Sequence, residues 1–161
     1  MASYIDVTTR DGATINMNNF NPDIITSIET ITSGQKYRVH ISPSATSLAM
    51  LFYDNNRITE ARIIIEEDSL VTDLSQMFKN CEYFHTCTGY VKSPVTNTQG
   101  MFSGTGSSGV SSVNYSVKLP GTITNMRAMF SNIYYLTGCP SCLTAETTKN
   151  VTDMYCLFQG C

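Results

Sequence analysis

The phrase "VTDLSQMFKNC", Val71 to Cys81, is written again as "VTDMYCLFQGC", Val151 to Cys161. A phrase repeated inside one chain constrains the fold more than any single motif. Repeated units cannot bury their apolar faces alone and do so against one another. Anchoring on Phe78 brings out its counterparts Phe52, Phe102, Phe130 and Phe158, at spacings of 26, 24, 28 and 28 residues. Six positions before each phenylalanine stands Thr46, Thr72, Thr96, Thr124 or Thr152. Five positions before stands Ser47, Asp73, Asn97, Asn125 or Asp153, and immediately before stands Leu51, Met77, Met101, Met129 or Leu157. Two positions after stands Asp54, Asn80, Gly104, Asn132 or Gly160. The phrase is written five times.

Each column has a physical job. The Ser/Asp/Asn column suits a helix N-cap, whose short side chain accepts a bond from an unpaired backbone N–H. Asp73 is followed three residues later by Gln76, as in a capping box. Val71, Leu74, Met77 and Phe78 fall on one stripe of a short helix. The Asp/Asn/Gly column tolerates the left-handed conformation that ends a helix. Each copy therefore predicts a capped helix of about two turns, too short to stand without packing. Candidate strands lie between the copies: "KYRVHIS" (36–42), "ARIIIEE" (61–67), "GYVKSP" (89–94), "NYSVKLP" (114–120) and, more weakly, "SCLTAE" (141–146). Pro43, Pro94 and Pro120 close three of them. The expected fold class is an α/β repeat solenoid of leucine-rich-repeat type, with about five coils of short parallel strand plus short helix. Phe52, Phe78, Phe102, Phe130 and Phe158, with Met77, Met101 and Met129, are its expected structural core.

Residues 1–35 fall outside the repeats. "YIDVTTRDGATINM" alternates around Asp11-Gly12, a strong hairpin signal. The expected division is 1–35 as an N-terminal β-hairpin, serving as a cap or as a docking arm, and 36–161 as the solenoid. The last copy breaks off before a strand completes its coil, leaving Leu157 and Phe158 uncovered. We expect a partner subunit to cover this end, or the natural chain to continue.

"VTDLSQMFKNC", "ITNMRAMFSN" and "VTDMYCLFQGC" resemble the BspA-like branch of leucine-rich repeats. They look closest to its "VTDMSxMFxxC" form, found in surface proteins of mycoplasmas and of gut and oral bacteria. The likeness runs from about 36 to 161 and degrades in the third copy, where "SGTGSSGVSS" intervenes. It implies non-catalytic adhesion or host-surface recognition. Related repeats also look common in virion proteins, and fold likeness alone does not set function.

Composition excludes several classes. The chain has 161 residues, 42% hydrophobic and 14% charged, with net charge −3. That suits one domain with a real core, not a disordered chain. No Lys/Arg block supplies a phosphate-tracking surface, so no nucleic-acid partner is expected. No run reaches the roughly 18 apolar residues of a membrane helix, and no signal peptide opens the sequence.

Catalytic, metal and cofactor sites find little support. "CPSC", Cys139 to Cys142, has zinc or redox spacing but no further ligands nearby in sequence. Cys81 and Cys161 share one repeat column and read as buried thiols. His85 and Cys87 can face one side of an extended segment, without a group to orient the base. "EEDS", Glu66 to Ser69, reads as a solvated strand end, with a weak divalent-cation site as the alternative. No cofactor, no metal and no catalytic residue is expected. Tyr90, Tyr115, Tyr134 and Tyr135 are the candidate binding residues, because tyrosine offers a large apolar body with a polar tip. The expected role is a structural or binding module, a phage virion component such as a fibre or capsid-decorating protein, assembled in the host cytoplasm and mediating assembly or host-surface attachment. The alternative is a fragment of a bacterial cell-surface adhesin. Expected partners are other virion or surface subunits and a host-surface protein or glycan, in an oligomer or larger assembly.

Overall fold

"KYRVHI" alternates, and the alternation decides which way its side chains go: Tyr37, Val39 and Ile41 are buried while Lys36, Arg38 and His40 face outward. The computed structural model describes residues 1–161. Its strands are β1 (Tyr4–Thr9), β2 (Ile25–Thr32), β3 (Lys36–Ile41), β4 (Ile58–Ile65), β5 (Thr86–Val91) and β6 (Asn114–Tyr115). They make one open mixed sheet in the order β2-β3-β1-β4-β5-β6. β1 runs antiparallel to both β3 and β4, and β2 is antiparallel to β3. β4, β5 and β6 are parallel. A single apolar cluster fills the inside, from Ile5 through the repeat columns to Cys142.

The expected α/β solenoid of leucine-rich-repeat type is overturned. Helix is confined to the 3-10 turn Met17–Asn19 and to α1 (Ala145–Thr148), and the dominant element is the six-stranded mixed sheet. None of the five repeat phrases is helical. Each is a run of tight turns in which Leu51, Tyr53 and Asn55, for example, donate to the carbonyls three residues back, of Leu48, Met50 and Phe52. The alternate N–H groups reach across to the next copy instead. Those of Leu48, Met50, Phe52 and Asp54 donate to Asp73, Ser75, Met77 and Lys79. The same four columns repeat the bonds at every junction, at 2.7–3.1 Å. Bonds also run the other way: the N–H groups of Thr72, Thr96, Thr124 and Thr152 donate to the threonine carbonyl of the copy before at 2.9 Å, and those of Asn97, Asn125 and Asp153 share the same acceptors at 3.1–3.4 Å.

Spacing explains why turns win. Packed helices sit about 8–10 Å apart, whereas bonded extended chains sit about 4.8 Å apart. The repeat phenylalanines stack with centroids 5.4, 6.0, 5.7 and 5.7 Å apart from Phe52 to Phe158. That pitch leaves no room for a helix in each copy. It does let each rung satisfy its backbone on its neighbour. Two columns take the left-handed conformation in all five copies. One is Met50, Gln76, Gly100, Ala128 and Cys156, and the other is Asp54, Asn80, Gly104, Asn132 and Gly160. Reversing the hand every fourth residue stops an α-helix from propagating. The Ser/Asp/Asn column does accept a backbone N–H, two residues on rather than at a helix start, with bonds such as Asp73 Oδ1 from Ser75 N at 2.9 Å. These are Asx turns.

The strand expectations also move. β5 begins at Thr86, β6 keeps only two residues, and 141–146 holds no strand. The Asp11-Gly12 turn forms, with φ +56 and +67 and Ala13 N–H bonded to the Arg10 carbonyl. No hairpin follows it, because β1 pairs with β3 and β4. The first 35 residues are thus woven into the sheet, since β2 pairs with β3 across the expected boundary. Gly89 shows how tight the parallel part is: at φ +99, a Cβ there would lie 1.9 Å from the Ile63 carbonyl oxygen.

Candidate binding surfaces

Two surfaces carry chemistry, and they differ in whether their polar groups are already spoken for. The first is the outer face of the sheet. Register aligns His40, Tyr4, Ile64 and Tyr90 across β3, β1, β4 and β5. Arg38 grips Asp6 with two bonds of 2.7 and 3.0 Å and lies 4.1 Å from the Tyr4 ring centre. That pairing holds the guanidinium even more firmly protonated than usual. Tyr90 Oη donates to Glu66 Oε1 at 2.7 Å, and Lys92 Nζ approaches Glu66 Oε2 at 3.4 Å. The tyrosine bond, with help from Lys92, keeps the Glu66 carboxyl below its ordinary range. Asp6, Arg38, Glu66 and Lys92 are thus paired, while Arg62, in register with Asp6, stands exposed beside them.

The second surface is the outer side of the last rung, Val151–Cys161. Phe52, Phe78, Phe102 and Phe130 are at most 2% exposed, while Phe158 is 41% exposed. Met154 and Tyr155 are exposed beside it, and Arg127 lies over the Tyr155 ring at 4.3 Å. Leu136, Thr137, Gly138, Cys139, Phe158 and Cys161 line a hollow at the same end. The backbone is open as well. Met154, Cys156, Phe158 and Gly160 occupy the four donor columns, and their N–H groups have no acceptor.

The tyrosine candidates are scattered. Tyr90 lies in the sheet face just described. Tyr134 and Tyr135 are exposed after the fourth rung, and Tyr134 borders a polar groove with Asp54, Asn80 and Asn132. Tyr115 is core, 2% exposed, with its ring 4.4 Å from Phe102. Its hydroxyl lies 2.5 Å from Thr105 Oγ1, which itself donates to the Phe102 carbonyl. Burial pushes the Tyr115 phenol well above its ordinary value. Its recognition role is therefore withdrawn. Met77, Met101 and Met129 are fully buried with the phenylalanines.

Cys87 is fully buried, and burial raises its thiol well above the ordinary value. His85 Nδ1 meets Thr86 Oγ1 at 2.9 Å. Cys139 is exposed but Cys142 is buried, its thiol pushed up to about 12 by desolvation. No three His, Cys, Asp or Glu side chains gather at ligand spacing. Sequence reasoning missed the left-handed column before each phenylalanine, and with it the donor edge. Gly100 alone signals that conformation.

The family described as "Mycoplasma protein of unknown function, DUF285" matches residues 14–115 and, in a second register, 46–161. The chain belongs to this family. Two overlapping matches are what a repeated chain produces when its copies align in more than one frame. No curated protein and no solved structure matches the chain.

Proposed function

We propose that this member of the family is a non-catalytic binding module that works inside a larger assembly. The observation that carries the reading is the exposed pair Tyr134 and Tyr135 after the fourth rung, with Tyr134 on the rim of a polar groove lined by Asp54, Asn80 and Asn132. Apolar and hydrogen-bonding surface brought together in this way gains most from contact with another macromolecule.

Of the two settings, the bacterial surface is the better supported. The printed family description names Mycoplasma proteins. The phrases "VTDLSQMFKNC" and "VTDMYCLFQGC" resemble the BspA-like surface-protein repeat. A virion component is the second reading. Immunogold labelling and fractionation of the source organism test the proposal. The expected result is label on the cell envelope, with the chain recovered in complexes well above its 17.8 kDa mass. Label on virus particles selects the virion setting. Recovery as a free monomer in the cytosol overturns the proposal.

A further inference from the structure

We propose that the polar groove crossing the first four rungs binds a neutral saccharide. The inference rests on the reading of the chain as a binding module and names the ligand chemistry of one surface.

The groove exists because one column lacks a side chain at its centre. Two residues after each phenylalanine, the first four rungs carry Asp54, Asn80, Gly104 and Asn132, all left-handed. Gly104 leaves the third rung bare, and the Asn80 side chain lies across it: a Cβ at Gly104 would sit 2.7 Å from Asn80 Oδ1. Glu82 and Tyr134 stand two residues further along the second and fourth rungs, and Ser107 joins them from the loop after the third. Bonded chains at the ordinary strand spacing set those two walls about 9.6 Å apart. The space between them is about 400 Å³, the size of a small-molecule site. Every lining residue precedes the last rung.

Its side chains are free to bind. In the other Asx column, Asp73, Asn97, Asn125 and Asp153 use theirs on the backbone N–H two residues on. The side chains of Asp54, Asn80, Glu82, Ser107, Asn132 and Tyr134 hydrogen-bond to no other protein group. The backbone below them is closed, since the N–H groups of Asp54, Asn80, Gly104 and Asn132 donate to Lys79, Ser103, Ser131 and Gln159 at 2.7–2.9 Å. A peptide strand, which binds through main-chain bonds, finds no edge here. No Lys or Arg lines the groove, and the carboxylates of Asp54 and Glu82 repel phosphate, sulfate and carboxylate ligands. The Tyr134 ring is its one large apolar body, too little for a lipid. A ligand dense in hydroxyls with a single apolar face fits this set. The C–H face of a neutral sugar lies on the Tyr134 ring, 67% exposed. Its neighbouring hydroxyls donate to Asp54 and Glu82 and exchange bonds with the amides of Asn80 and Asn132.

The test titrates the isotope-labelled chain of residues 1–161 with neutral oligosaccharides of glucose, galactose, mannose and N-acetylglucosamine, and with sialylated and sulfated counterparts. Amide chemical shifts read the binding. At least one neutral member is expected to bind with a millimolar Kd, shifting residues 80–82, 104–107 and 132–134, and the anionic members are expected to leave them unmoved. Tyr134→Ala is expected to weaken binding about tenfold, the contribution of one stacked aromatic face. Gly104→Asn fills the groove floor with the residue that Asn80 and Asn132 already hold left-handed in the neighbouring rungs. Its Cβ meets only the end of the Asn80 side chain, so the chain keeps its fold, read from unchanged amide shifts in β1, β3 and β4, and loses binding. Four results overturn the inference: no response to any neutral member, a preference for the anionic ones, shifts on the sheet face in place of the groove, or both variants binding as the unaltered chain does. Calcium alone shifting these amides, with no saccharide doing so, overturns it equally. A chain found in an envelope assembly that binds none of these saccharides leaves the module reading standing and removes this ligand.

Discussion

Replacing Ala128 by glycine tests the turn ladder through the sign of a stability change. Ala128 has φ +52. A left-handed residue with a Cβ costs about 1–2 kcal/mol. Glycine removes that cost but gives the unfolded chain extra freedom worth about 0.4–1 kcal/mol. Ala128 is only half-buried, so losing its methyl matters little. The net expectation is a gain of about 0.5–1 kcal/mol, which for a chain this long raises Tm by roughly 1–4 °C. In a helix of the same sequence, glycine costs about 1 kcal/mol relative to alanine. Urea and thermal unfolding followed by circular dichroism read the difference directly. A destabilised A128G protein refutes the left-handed column and the ladder built on it.

Other consequences concern the core and its thiols. Phe102→Ala removes a fully buried ring stacked on Phe78, Phe130 and Tyr115 and costs about 3–5 kcal/mol, whereas Phe158→Ala, half exposed with one ring neighbour, costs about 1 kcal/mol. Equal costs in denaturant titrations contradict the file. Gly89→Ala drives a Cβ into the Ile63 carbonyl at a left-handed φ and is expected to lose about 3 kcal/mol or more, seen as a collapse of soluble yield or Tm. Burial raises the Cys81 and Cys142 thiols from an ordinary 9.0 to about 12. Their neutral forms favour the native state, so this stability is complete below pH 9 and is lost as the pH rises to 12, at roughly 1.4 kcal/mol per thiol per pH unit. A thiol reagent at pH 8 should modify Cys139 and Cys161 quickly and Cys81, Cys87 and Cys142 only on unfolding. Rapid labelling of the second group counts against the buried column.

The repeat period, and the residues that share a column, were legible because one chemical role recurs at one spacing. Asp73, Asn97, Asn125 and Asp153 do bind a backbone N–H, and Asn80 and Asn132 do take a left-handed turn. The helix was misread because Val71, Leu74, Met77 and Phe78 fit a helical stripe equally well when the chain coils in tight turns. The decisive column holds Met50, Gln76, Ala128 and Cys156, none of which favours φ above zero. Only bonding to the adjacent rung imposes it. The placement of β1 was hidden for a similar reason: its antiparallel partners Tyr37–Val39 and Ala61–Ile63 lie some 30 and 55 residues away. Tyr115 misled because a hydroxyl satisfied inside by Thr105 looks, in sequence, like one offered to a ligand. The donor edge lies in the backbone and has no residue signature.

Scalar coupling across hydrogen bonds, measured by NMR on isotope-labelled protein, tests the ladder most directly. Phe78 N is expected to couple to the carbonyl carbon of Met101, and Phe102 N to that of Met129. Coupling of Phe78 N to Leu74 and of Phe102 N to Thr98, the residues four back, would establish a helix in each copy and contradict the account.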